Sequence, residues 1–280
     1  MKRIRFCKYH GCGNDFIIVH EKDIKEINDL TSFIKRICNR YIGVGADGFI
    51  VAKTCPLAMV FYNQDGSVGS MCGNGIRSLS AFFYDEHLVS SHNFTIITQA
   101  GAINIETIST NPYYFKVTTS SFSFSSKDLE INTNSENFFN QIITYNGLDI
   151  CVYAIFLGTK HLVTFVDNFE MIDEKIGSYL SNHHLFKDRI NVDFVKIIDK
   201  NNIKLKTYER GVGFTKACGT GACASLVVAH RLGLCDNRAN VIMELGSLTI
   251  EQVNETVIME GPATKICDGY FIWEEDNENW

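Results

Sequence analysis

The sequence predicts an α+β fold of two pseudo-symmetric domains, each a β-sheet or barrel wrapped around a central helix. Three observations lead there. The pattern Met71-Cys72-Gly73-Asn74-Gly75 returns 146 positions later as Ala217-Cys218-Gly219-Thr220-Gly221. Each copy follows a glycine-containing loop, Asp65-Gly66-Ser67 in one and Arg210-Gly211-Val212-Gly213 in the other, and each runs into an apolar helix. The helix behind Cys218, through Ala222-Cys223-Ala224-Ser225-Leu226-Val227-Val228-Ala229, is apolar on nearly every face, which places it at a domain centre.

Taken in chain order, residues 4–19 are β-rich and split by Gly11-Cys12-Gly13-Asn14-Asp15. Leu30, Phe33, Ile34 and Ile37 share one face of a helix that ends near Asn39. A glycine turn from Gly43 to Gly48 leads into a strand at Phe49-Ile50-Val51-Ala52, and the next strand, 58–62, ends in the turn signal Asn63-Gln64-Asp65-Gly66. The first central helix starts near Cys72, and strands follow around 94–98, 102–108 and 114–118. The Ser/Asn-rich stretch 119–140 reads as a connector. Beyond it come strands near 151–157 and 162–166, a helix near 173–181 and strands near 193–198 and 204–209. The second central helix runs from Cys218 to Leu232 and is capped by Gly233. Strands near 241–244, 248–253 and 257–260 and a strand-like tail complete the chain.

A chain of 280 residues, 45% hydrophobic and 21% charged, has material for one large or two smaller cores. A net charge of −6 without a basic stripe argues against a nucleic-acid partner. No apolar run approaches about 18 residues, so no membrane span is expected. Lys8, His10, Asn14 and Asp15 follow the basic opening residues where a signal peptide would be apolar. A cytoplasmic protein with ten free thiols is therefore expected.

The chemistry follows from where the repeated cysteines fall. A thiol at a helix start faces unpaired backbone N–H groups and the positive end of the helix dipole, which favour its thiolate. The N–H groups of Gly73, Asn74, Gly219 and Thr220 are placed to hold a carboxylate. Two such loops on one ligand set a thiol on each face of the adjacent Cα. One, as thiolate, takes the Cα proton, and the other, as thiol, returns one from the opposite side, which inverts the centre. The competing explanation is a pair of buried structural cysteines. A single loop would favour that explanation, whereas two in matching contexts favour catalysis.

Five ordered segments resemble the diaminopimelate epimerase family. They are Tyr9-His10-Gly11-Cys12-Gly13-Asn14-Asp15-Phe16, Gly43-Val44-Gly45-Ala46-Asp47-Gly48, Phe61-Tyr62-Asn63-Gln64-Asp65-Gly66-Ser67, the Cys72 loop, and Tyr208-Glu209-Arg210-Gly211-Val212-Gly213 through Cys218-Gly219-Thr220-Gly221-Ala222. The resemblance implies halves of 1–118 and 119–264, with the tail 265–280 packing back on the first and the substrate in the cleft between them. It implies interconversion of LL- and meso-diaminopimelate without pyridoxal phosphate or another cofactor, and a homodimer; no metal is expected either, because the sequence has no Cys-x-x-Cys and His183-His184 lacks partners at ligand spacing. By the same resemblance Cys72 is the base for the LL isomer and Cys218 for the meso isomer. His161 matches a histidine beside the thiols, and Asn14, Asn63, Asn191, Glu209 and Arg210 match positions that grip the substrate. Unaided chemistry agrees: Arg210 offers a planar fork to a distal carboxylate and Glu209 pairs with an ammonium, while asparagines both donate and accept.

The chain departs from the family at Gly158-Thr159-Lys160-His161, where the usual pattern is Gly-Asn-Pro-His. Thr159 thus stands where an asparagine would contact the distal group. A racemase of another amino acid, such as lanthionine or histidine, is the second reading. A non-catalytic binding protein is a third, which loss of either cysteine would have favoured. Gly43-Val44-Gly45-Ala46-Asp47-Gly48 matches a dinucleotide-binding pattern, but that pattern needs a strand before and a helix after it, the reverse of the order here. A cysteine hydrolase using Cys72 and His161 leaves the second loop unexplained.

Overall fold

The computed structural model describes residues 1–133 and 135–274. The chain opens on a hairpin of β1 (Lys2–Gly11) and β2 (Asn14–His20), turned by Cys12 and Gly13 at φ 54° and 87°. Both central residues of such a two-residue turn need positive φ. Helix α1 (Leu30–Cys38), capped by Asp29 through Ser32 N at 3.0 Å, crosses to β3 (Gly48–Thr54), which runs parallel to β2. Strand β4 (Leu57–Asn63) returns antiparallel, with the short β5 (Val68–Gly69) on its edge. Helix α2 (Gly73–Asp85) then crosses to β6 (Asn93–Thr98), which pairs in parallel with β4 and continues into β7 (Gly101–Thr110) and β8 (Tyr113–Ser121).

The same order repeats. Strand β9 (Gln141–Tyr145) leads a hairpin of β10 (Leu148–Phe156) and β11 (Lys160–Phe165). Helix α3 (Glu174–Ser181) crosses to β12 (Asn191–Asp199), parallel to β11, and β13 (Asn202–Glu209) returns antiparallel with the short β14 (Gly213–Thr215). Helix α4 (Gly219–Arg231) crosses to β15 (Arg238–Met243), parallel to β13, followed by β16 (Gly246–Val253) and β17 (Thr256–Pro262). Strand β18 (Thr264–Trp273) pairs antiparallel with β1. Of the strand-like tail, 275–280 lie outside the described residues. The expected α+β architecture forms, with each half turning on a cysteine-led helix.

The chain divides into two compact units, Met1–Val117 together with the chain from Gly261 onward, and Thr118–Glu260. In the first, every residue of α2 from Gly73 to Phe83 is buried, and Ile76, Leu79 and Phe83 pack with Tyr9, Phe16, Ile50, Phe115 and Val117. Ala263 N–H donates to Tyr113 O at 3.3 Å, drawing the strand row back on itself. In the second unit α4 is buried at Gly219 and from Gly221 to Ala229. There the row is closed by the stretch read as a connector. Ser123 exchanges backbone bonds with Phe156 at 2.9 and 2.8 Å, and Phe122 N donates to Glu255 O at 3.3 Å. Its Leu129, Ile131 and Phe138 enter the core. Serine-to-backbone bonds, such as Ser125 N to Ser123 Oγ at 3.1 Å, supply the pairing that a strand would. Asn134 of this stretch lies outside the described residues. Among the described residues no helix is long and apolar enough to cross a membrane.

All ten cysteines are free. Burial pushes the thiols of Cys7 and Cys235 up to about 11 and that of Cys38 to about 12. A thiol in the unfolded chain ionises near pH ~8.5. Between that pH and the folded value, the unfolded chain has lost a proton that the folded one keeps, so stability falls as pH rises, by about 1.4 kcal/mol per pH unit per thiol. Urea midpoints are therefore expected to drop steadily above about pH 9, and the drop should be shallower in Cys38→Ala. An equal slope in that variant would remove Cys38 from the account.

Candidate active site

Each cysteine of the repeat is the N-cap of its helix. Cys72 has φ −135° and ψ 120°, and Cys218 has −126° and 110°. Their carbonyls accept the first helical bonds, from Ile76 and Ala222, both at 2.9 Å. The N–H groups of Gly73 and Asn74, and of Gly219 and Thr220, precede those ladders and are the orphan donors of a helix start.

Around Cys72, one chain of hydrogen bonds sets the orientation of every amide. Cys72 Sγ lies 3.8 Å from Asn14 Oδ1, which also accepts from Asn74 Nδ2 at 3.2 Å. Asn14 Nδ2 donates to Asp47 Oδ2 at 2.8 Å. Asn74 Oδ1 accepts from Arg77 Nη2 at 2.6 Å. Arg77 has no exposure and also donates to Gly73 O at 2.9 Å and Pro262 O at 3.3 Å. It meets the Cys12 thiol as well: burial raises Cys12, and Arg77 works against that rise. The turn from Gly43 to Gly48, set aside as a nucleotide motif, delivers Asp47 to this chain. A Cβ on Gly43 would stand 2.1 Å from Arg36 O, and one on Gly48 2.6 Å from the Phe61 ring. Arg40 joins Asp47 Oδ1 and Asp15 Oδ1, both at 2.7 Å. Burial would raise Asp15, but Arg40 and Lys8 overcome it and hold the carboxyl at about 2. Asn63 is the exposed last residue of β4, its Nδ2 donating to Ser67 Oγ at 2.9 Å across the turn that follows.

Cys218 has different neighbours. Its Sγ accepts from Gly221 N–H at 3.4 Å and lies 3.5 Å from Thr220 Oγ1. Thr220 Oγ1 is 3.0 Å from His161 Nε2, and His161 Nδ1 is 2.6 Å from Asp193 Oδ2. Thr207 Oγ1 donates to Asp193 Oδ1 at 2.7 Å. Burial pushes the Cys218 thiol well above its ordinary range, with the Glu209 and Asp193 carboxylates adding to the rise, while Thr220 and the Gly221 N–H oppose it. Glu209 Oε1 accepts from Thr215 Oγ1 at 2.6 Å. Asn191 Oδ1 accepts from Arg210 N–H at 3.0 Å, and Arg210 Nη1 donates to Asp188 O at 3.4 Å.

The second unit thus gathers Cys218, Thr220 and His161 into one chain of contacts, and ties Asn191 to the adjacent Arg210. Thr159 contributes its carbonyl to a tight turn, accepting Leu157 N–H at 2.9 Å across Gly158 at φ 71°. Lys160 is buried, paired with Glu130 and 3.8 Å from Asp188. A contact from its ammonium to a substrate carboxylate would have to break that pairing. Sequence reasoning missed Arg77, Asp47, Asp193 and Thr207. Arg77 and Asp193 did leave a signal, each being a charged residue inside an otherwise apolar element.

The diaminopimelate epimerase family model matches residues 6–123 and 153–266. A diaminopimelate epimerase of Alkaliphilus metalliredigens is 35% identical over 276 residues, covering 96% of this chain and 98% of the relative. One from Prochlorococcus marinus strain NATL1A is 42% identical over 279 residues, covering 94% and 97%. Among solved structures, a phenazine biosynthesis protein of the PhzF family from Bacillus anthracis superposes with TM-score 0.71 at 15% identity, covering 98% of this chain and 100% of that one. A hydroxyproline epimerase from Agrobacterium vitis gives 0.68 at 10% identity, covering 97% and 91%, and the two likenesses establish the fold alone. By sequence, the chain belongs to the diaminopimelate epimerase family.

Proposed function

We propose that this protein is a diaminopimelate epimerase that interconverts the LL and meso isomers through two thiols and no added cofactor, in lysine and peptidoglycan biosynthesis. The observation that carries the reading is the repeated N-cap cysteine, one at the head of each buried central helix. Cys72 as thiolate takes the Cα proton of the LL isomer while Cys218 as thiol delivers one to the other face; the meso isomer reverses the roles. The carboxylate beside the reacting carbon rests on the N–H groups of Gly73, Asn74, Gly219 and Thr220. Glu209 takes the distal ammonium and Arg210 the distal carboxylate, with Asn14, Asn63 and Asn191 supplying further polar contacts. The protein works as a homodimer in the cytoplasm, and sedimentation of the pure protein checks the dimer.

A second reading, a racemase of another polar amino acid, is favoured by Thr159 and by the engagement of Lys160 with Glu130 and Asp188. Comparing kcat/KM for LL-diaminopimelate, meso-lanthionine and L-histidine decides between them. Diaminopimelate is expected to be the best substrate. Thr159→Asn should raise its kcat/KM about tenfold, since a lost polar contact in a desolvated site costs roughly 1–3 kcal/mol. Turnover of histidine without turnover of diaminopimelate would overturn the substrate and leave the racemase chemistry standing.

A further inference from the structure

Behind Cys218 stands more polar machinery than holding one carboxylate requires. From Sγ outward, Thr220 Oγ1 lies at 3.5 Å, His161 Nε2 is 3.0 Å further on, Asp193 Oδ2 is 2.6 Å from Nδ1, and Thr207 Oγ1 is 2.7 Å from Asp193 Oδ1. His161 and Asp193 have no solvent exposure. A carboxylate oxygen 2.6 Å from a ring nitrogen needs a proton between them, so Nδ1 carries the hydrogen. In the neutral ring Nε2 is then an acceptor, and the Thr220 hydroxyl donates to it. The lone pairs of that hydroxyl are left facing Sγ, and every contact in the row has a direction. The second glycine of the motif serves this row: a Cβ on Gly221 would lie 2.5 Å from Asp193 Oδ1 and 2.9 Å from Thr207 Oγ1. Only a glycine lets α4 start this close to the carboxylate.

We propose that Thr220, His161 and Asp193 form a proton relay that reversibly stores the proton of Cys218, with Asp193 the positioning residue that fixes the tautomer of His161. The inference rests on the two-thiol reading above. In the loading step the S–H bond of Cys218 breaks and its proton passes to Thr220 Oγ1, whose own hydroxyl proton moves to His161 Nε2. A thiol and a neutral imidazole become a thiolate and an imidazolium, with total charge unchanged and no co-reactant. Asp193, held by Thr207, pairs with the imidazolium. Discharge runs the same path backwards.

The surroundings make such a store necessary. Cys218 is buried beside the Glu209 and Asp193 carboxylates, and burial pushes its thiol up, so a thiolate there needs a countercharge at hand. Lys160, the cation next to His161 on β11, is engaged with Glu130 and Asp188. The imidazolium supplies the countercharge. Cys72 has different surroundings: its Sγ lies against the Asn14 amide, which Asn74 and then Arg77 hold from behind.

The test is kcat and KM across pH 6–10 for wild type, Thr220→Val, Thr220→Ser and Asp193→Asn, with Cys218→Ala as control. Thr220→Val should lose about 100-fold in kcat, the low end of what positioned proton transfer contributes, with KM within about threefold. Because the equilibrium constant between the isomers is fixed, kcat/KM must fall equally in both directions. Thr220→Ser should recover most of the loss. Asp193→Asn should lose a similar factor, and its kcat should climb towards pH 10 as hydroxide replaces the relay. Thr220→Val within threefold of wild-type kcat, or a loss in Asp193→Asn that lies wholly in KM, would overturn the relay. Should Asp193→Asn not fold, the Thr220 pair decides, together with the 15N shifts of His161 in the wild type. A proton on Nδ1 supports the relay, and a neutral ring protonated on Nε2 overturns it. An active Cys218→Ala enzyme would instead overturn the two-thiol reading itself.

Discussion

Cys72→Ala and Cys218→Ala are each expected to lower kcat for epimerisation by about 1,000-fold or more, well within what acid–base groups contribute to proton transfer at carbon. Inversion needs a base on one face and an acid on the other, and losing either stops the cycle. The folds should survive. Cys72 makes no side-chain cap bond, and Cys218 gives up only the contacts from Gly221 N–H and Thr220. Removing a capping acceptor costs about 1 kcal/mol. Circular dichroism spectra should therefore match the parent, and the melting temperature should fall by no more than about 5 °C in Cys218→Ala, while turnover vanishes. Near-normal activity in either alanine variant would end the two-thiol account.

Arg77→Met is expected to lower stability by about 3 kcal/mol and to raise KM at least tenfold. Charge-assisted hydrogen bonds each contribute about 1.5–3 kcal/mol, offset in part by the cost of burying a guanidinium. Arg77 makes such bonds to Asn74 Oδ1, Gly73 O and Pro262 O, and methionine makes none. The loss reaches the ligand side through Asn74, whose amide then loses the contact that aims its Nδ2 at Asn14. Urea unfolding and steady-state kinetics on one preparation check both effects. A stability loss under about 1 kcal/mol with unchanged KM would contradict the role given to Arg77.

The parts of the site legible in the sequence are those that repeat or that have a local cause. Both cysteine loops could be found because the motif occurs twice, and the helices behind them because apolar side chains run through Ile76, Leu79, Phe82 and Phe83, and through Ala222 to Ala229. Asp193 could not be placed, because its meaning lies in contacts to His161, 32 positions earlier, and Thr207, 14 positions later. Its neighbours Val192, Phe194 and Val195 are all buried, and a carboxylate in such a run must have partners. Arg77 gave the same signal inside α2. Composition misled at 119–140, where serines and asparagines suggested a linker. Leu129, Ile131 and Phe138 are spaced among them without period, so no helix or strand pattern reveals that they are core. The short β9, beginning at Gln141 directly after that stretch, went unseen for the same reason.

The central claim, that two thiols act on opposite faces of one Cα, is tested most directly by proton NMR and mass spectrometry of LL-diaminopimelate turned over by the wild-type enzyme in D2O. A base that differs from the acid removes the substrate proton on one face while a deuteron arrives on the other. Early in the reaction the meso product should carry one deuterium at the inverted carbon, and the remaining LL isomer should carry almost none. Deuterium appearing in recovered LL isomer as fast as in product would mean that one group serves both faces. Product retaining the original hydrogen would mean the same, and either result would contradict the account.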